Sequence, residues 1–167
     1  MLLALVLCLH QAERFLALPM LPYPGVKLGL SNLVTLLSLF LLTPGQAFIF
    51  VILRSLLIAA FGGFSLLIFS LTGALLAFIL MFSLGYAFPQ HFSLVGLSIG
   101  GAVMHNIGQI LVACVFSKSF AIFLYLPMLL GSGVIGGFAI GIITRTLIKT
   151  MQKSALISFD PKLEQLL

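Results

Sequence analysis

Apolar residues in this chain come in six runs, and polar residues fall mostly between them. The runs cover about 1–18, 30–43, 46–61, 64–84, 93–116 and 120–148. Inside each run the apolar residues are continuous, as in "SLLIFSLTGALLAFILMFSLG". A membrane β-strand would alternate apolar with polar positions, so the pattern predicts helices. "LPMLPYPGVKLG" separates the first two runs, and its prolines and glycines predict irregular backbone. "TPGQ", "GGF", "GYAFPQHF" and "SKS" predict the other turns, and Pro127 predicts a bend in the last run.

One bilayer crossing takes about 20 apolar residues, so this chain has room for about six. The 167 residues are 62% hydrophobic and 7% charged, whereas soluble domains carry roughly a quarter charged residues. The expectation is an all-α polytopic membrane protein, about six transmembrane helices in one bundle over 1–150, with a cytoplasmic tail over 151–167. The net charge of +5 does not mark a nucleic-acid partner, because Arg145, Lys149, Lys153 and Lys162 cluster at the C-terminal end. Basic flanks stay on the cytoplasmic side, which predicts both termini in the cytoplasm of what is read as a bacterial inner-membrane protein. No basic segment precedes the first run, and Leu7 precedes Cys8 where a cleavage site wants a small residue. The first run is therefore expected to be retained as a helix. Cys8 and Cys114 lie in different spans, without metal-like spacing, and are expected to serve packing.

Polar side chains inside a bilayer are costly and usually functional. Arg54 lies near the middle of the third run, too deep for easy snorkelling. Glu13 is the only acid before Asp160, with Arg14 beside it. Arg54 is thus either a structural ion-pair partner of Glu13 or a ligand-binding cation. In "GAVMHNIGQIL", His105 and Gln109 are four apart and Asn106 and Gln109 three apart, so Gln109 shares a helix face with each. These three either clasp helices together by hydrogen bonds or contact a ligand. Lys27 is either a solvated loop residue or a ligand and lid residue, because proline-rich backbone at membrane depth must be buried or line a cavity. Asn32, at the start of the second run, goes with it.

Small residues recur every four positions at Ala4, Cys8 and Ala12, and again at Gly133, Gly137 and Gly141. Such stripes let helices approach closely, either inside the bundle or against a partner subunit. No phosphate-binding GxxxxGK[ST] motif is present, so the chain has no ATPase of its own. The sole aspartate, Asp160, cannot supply the two aspartate-rich motifs that would hold magnesium against a prenyl diphosphate. Neither an enzyme activity nor a metal or cofactor is expected.

"PGVKLGLSN" (24–32), "ILRSLL" (52–57), "SLTGALLAFILM" (70–81) and "GLSIGGAVMHNIGQILVA" (96–113) resemble the Gx transporter family. That family is also labelled heptaprenyl diphosphate synthase component I, and it is similar to the S-components of energy-coupling factor transporters. The resemblance implies a six-helix S-component-like fold with a pocket near the outer half, covered by the loop between the first two helices. It also implies a membrane coupling subunit and ATPase subunits as partners. The expected function is a substrate-binding transport subunit for a small polar or anionic molecule. Lys27, Asn32, Arg54, His105, Asn106 and Gln109 would line its pocket, Glu13 and Arg14 would support it, and Ala4, Cys8 and Ala12 would dock a partner. The alternative is a non-catalytic membrane accessory subunit of heptaprenyl diphosphate synthesis.

Overall fold

The structure is a computed structural model describing residues 2–20, 29–61, 63–153 and 166, with the side chains of 14–20 and 31 outside the described set. Six α-helices follow one another: α1 (Leu2–Met20), α2 (Leu30–Leu41), α3 (Pro44–Ala59), α4 (Gly63–Ala87), α5 (Leu94–Ser117) and α6 (Leu126–Lys153). A 3-10 turn, Phe120–Tyr125, joins α5 to α6. The six runs thus become six helices in one bundle. Three of the described helical stretches, Gly63–Ala87, Leu94–Ser117 and Phe120–Lys153, are long and apolar enough to cross a membrane. Their outer surfaces fit lipid: Val115, Leu124 and Ile135 are each more than 70% exposed, which water would penalise and acyl chains do not.

Local chemistry explains the boundaries. "TPGQ" starts α3: the Thr43 backbone N–H donates to Gln46 Oε1 at 3.1 Å, and Pro44 sits in the first turn, where no donor is lost. Ser93 caps α5, its Oγ accepting from the Gly96 N–H at 3.1 Å. Pro127 does not bend a helix. It occupies the first turn of α6, which the proline ring favours, and the chain before it winds as the 3-10 turn.

The centre of the bundle is α2. Residues 32–40 are all buried, and α2 packs against each of the other helices. At 12 residues it is about 18 Å long, short of a hydrocarbon core of about 30 Å. A helix buried on every side belongs inside the protein, and the polar Asn32, Thr35 and Ser38 of α2 are buried with the rest.

On one flank, α4, α5 and α6 are held by backbone contact. A Cβ on Gly108 would come 2.9 Å from Gly73 Cα, and one on Gly137 would come 2.7 Å from Ile99 Cα. Gly141 stands equally close to Val95 Cα, at 2.8 Å. The Gly133, Gly137 and Gly141 stripe therefore serves internal packing. Between membrane helices, where lipid is as apolar as leucine, such close van der Waals approach supplies the attraction.

On the other flank, α1 packs chiefly on α2 and α3, leaving Ala4, Cys8 and Ala12 exposed. The packing role expected of Cys8 accordingly fails, while Cys114 is half-buried. Most of the expected tail lies outside the described residues. Leu166, however, is 2% exposed, and its carbonyl accepts from the Leu94 N–H at 2.8 Å, so the chain end meets the start of α5.

Candidate ligand site

All six helices contribute to one polar cavity. His10 and Glu13 come from α1, Gly29 and Asn32 from the start of α2, and Arg54 and Ile58 from late α3. Leu66 and Ser70 come from early α4, Ala102, His105, Asn106 and Gln109 from α5, and Gly133 from early α6. The alternation of late and early positions puts the cavity toward the end that carries the α1–α2, α3–α4 and α5–α6 connections. Its volume is about 30 Å³, room for roughly one or two waters.

The expected site residues converge here. Asn32, Arg54, His105, Asn106 and Gln109 all line the cavity, and Glu13 joins them. Lys27 and the Arg14 side chain lie outside the described residues. His10 and Ser70 also line the cavity, beyond the set that the sequence pattern singles out. His10 carries a signal, standing three residues before Glu13 and so on the same helix face; Ser70 has none that separates it from the other serines of these helices.

Arg54 has no exposed surface, and its Nη1 donates to Thr35 Oγ1 of α2 at 2.6 Å. Glu13 is close enough for its charge to act on Arg54. Its carboxylate also accepts at Oε1 from the backbone N–H groups of Gly29 and, at 3.4 Å, of Leu30. Gly29 caps α2 in the left-handed region, at φ 76°, where it has no side chain to offer the helix. Glu13 supplies the missing acceptor from another helix, and its charge suits the positive end of the α2 dipole. Both readings of Arg54 thus point to one place, since Glu13 and Arg54 line the same cavity.

The α5 residues divide between clasp and wall. Asn106 Nδ2 donates to the Leu129 carbonyl of α6 at 2.6 Å, which makes it a clasp as well as a wall. The His105 ring lies over Gly73, where a Cβ would come 2.8 Å from Nδ1. Gln109 faces the cavity one turn on. Asn32 is 5% exposed, and its Oδ1 has no hydrogen-bond partner among the described residues. A buried acceptor in that condition carries a desolvation penalty of about 1–3 kcal/mol that a suitable donor would relieve.

The clasp can be tested. Asn106→Ala should lower unfolding stability by about 0.6 kcal/mol, the average for an interhelical bond in a membrane protein. Ser132 Oγ still donates to Leu129 O at 2.9 Å in that variant, which limits the loss. Unfolding in mixed micelles measures it.

No curated protein and no solved structure matches the chain. The model of the heptaprenyl diphosphate synthase component I family matches residues 2–147, and the chain belongs to that family.

Proposed function

We propose that this protein is a non-catalytic membrane subunit that binds a small polar or anionic molecule for transport. The observation that carries the proposal is the buried polar cavity to which all six helices contribute. A bundle held together by packing alone has no need of an arginine, a glutamate, two histidines and three amides around one space. Pockets that recognise small molecules set a few convergent polar groups among apolar walls. Arg54 would attract negative groups, and the amides of Asn32, Asn106 and Gln109 would fix orientation. The charge pattern supports both termini in the cytoplasm, which would put the cavity toward the outer half of what we read as a bacterial inner membrane. With no ATPase motif in this chain, transport would draw on a membrane coupling subunit and ATPases of the energy-coupling factor kind. The exposed Ala4, Cys8 and Ala12 face of α1 would serve as the docking surface.

Native mass spectrometry of the protein from its own membranes tests this directly. The expected result is a small molecule that co-releases from the wild type and is lost in Gln109→Leu, together with ATPase subunits among the co-purifying proteins. Gln109 suits the test because its side chain makes no hydrogen bond to a described residue, so its loss should spare the fold. A wild-type chain that carries no small molecule would overturn the reading. The family's description supports a second reading, a membrane component of heptaprenyl diphosphate synthesis. A prenyltransferase in place of ATPases among the co-purifying proteins would favour it.

A further inference from the structure

The amino end of α2 and the buried Arg54 together form a seat for an anion. Two backbone N–H groups meet there, Glu13 reaches across from α1 to fill the seat, and Arg54 lines the same cavity. Short helices that begin inside a membrane protein commonly aim their positive ends at anionic substrate groups. Here α2 is such a helix, and its own cap, Gly29, offers no side chain. Beside the seat stands a feature Glu13 does not answer. Asn32 Oδ1 is an acceptor, 95% buried by its 5% exposure, lining the same cavity without a partner among the described residues. An anion cannot satisfy it, whereas an N–H or O–H can.

We propose that Glu13 holds the place of the ligand's own acid group. The ligand is then a small carboxylic acid with a hydrogen-bond donor next to the carboxylate, as in a hydroxy or amino acid. Its carboxylate takes the N–H groups of Gly29 and Leu30 and the charge of Arg54, and its donor meets Asn32 Oδ1. A planar carboxylate replaces Glu13 group for group, which a tetrahedral phosphate does not. When Glu13 withdraws, the ligand's carboxylate takes over the partners that it gives up. α1 packs chiefly on α2 and α3, so it can shift while the glycine-locked contacts among α4, α5 and α6 stay in place. The shift would enlarge a cavity that otherwise admits little more than water. This inference rests on the cavity being a ligand site, and it names the ligand's class.

Chemical rescue tests it with probes of known identity. Glu13→Ala in the full chain should melt at a lower temperature than the wild type, and formate, acetate and glycolate should restore it. Sodium chloride and inorganic phosphate should not. Glycolate, with its hydroxyl beside the acid, should act at a concentration roughly tenfold lower than acetate, the ratio expected when one buried acceptor gains a partner. Asn32→Leu added to Glu13→Ala should erase that preference, and Arg54→Met added instead should abolish rescue. If Glu13→Ala does not fold, Glu13→Gln keeps the shape without the charge. That variant should be stabilised by glycolate at lower concentration than the wild type. Stabilisation by chloride or phosphate equal to that by carboxylates, or no carboxylate effect in either variant, would overturn the inference. A non-acidic molecule on the native protein would overturn it too, while leaving the transport reading standing.

Discussion

Arg54→Ala should lose about 3–5 kcal/mol of unfolding stability, the usual consequence of removing one member of a buried charge pair. The cause is what stays behind. Glu13 is 2% exposed, so its carboxylate keeps its burial but loses its countercharge. Thr35, also fully buried, loses the guanidinium that ties α3 to α2. Glu13→Gln in the same chain should recover part of the loss, because the stranded charge is gone. A double-mutant cycle in mixed micelles therefore gives a coupling energy that strictly additive losses would contradict. Arg54→Lys keeps the charge but not the planar fork, and should fall between the wild type and alanine. Ligand retention should vanish in Arg54→Ala as well, and the Arg54→Ala/Glu13→Gln protein, where folding is partly recovered, separates the two effects.

Gly137→Ala should cost about 1–3 kcal/mol by overpacking, for one added methyl group. Its Cβ would lie 2.7 Å from Ile99 Cα, 3.1 Å from Ile99 N and 3.1 Å from Ser98 O. All three atoms are backbone, so no rotamer change makes room and α5 must move away from α6. Because α5 carries His105, Asn106 and Gln109, the same shift should weaken ligand binding from a position outside the cavity. Gly131, on the same helix, is the control. Nothing lies within 4 Å of a Cβ there, and Gly131→Ala should be neutral or stabilising, since alanine is the better helix former by about 1 kcal/mol in water. Equal losses at the two positions would refute the close-contact explanation.

Much of the site is legible in the sequence because polar residues are so rare in these runs. Arg54, Glu13, Asn32, His105, Asn106 and Gln109 stand out against an apolar background, and all of them line one cavity. Desolvation is the physical reason: a group that costs energy to bury stays buried only where something answers it. The division of labour is not legible in the same way. Helix spacing puts Asn106 and Gln109 on a shared face and both line the cavity, yet Asn106 is also bonded to the Leu129 carbonyl and Gln109 is not. That difference depends on how α6 lies against α5. His10 is a nearer case, because its spacing from Glu13 does point to the site, although the run around it reads as a plain span.

By itself the sequence determined the helical class, the six-element order and the short list of costly residues. These follow from period, run length and composition, which are properties of each segment alone. Only the tertiary structure decided that α2 is the buried centre, since a 12-residue apolar helix looks the same on paper whether lipid or protein surrounds it. It also decided which small-residue stripe packs inward. Gly133, Gly137 and Gly141 meet α5, whereas Ala4, Cys8 and Ala12 face out. The spacing is identical in the two stripes, so the choice lay in the partner each helix found. The same holds for Glu13, whose acceptor role at the start of α2 joins residues 16 and 17 positions apart. No local pattern encodes that contact; it exists because α1 packs where it does.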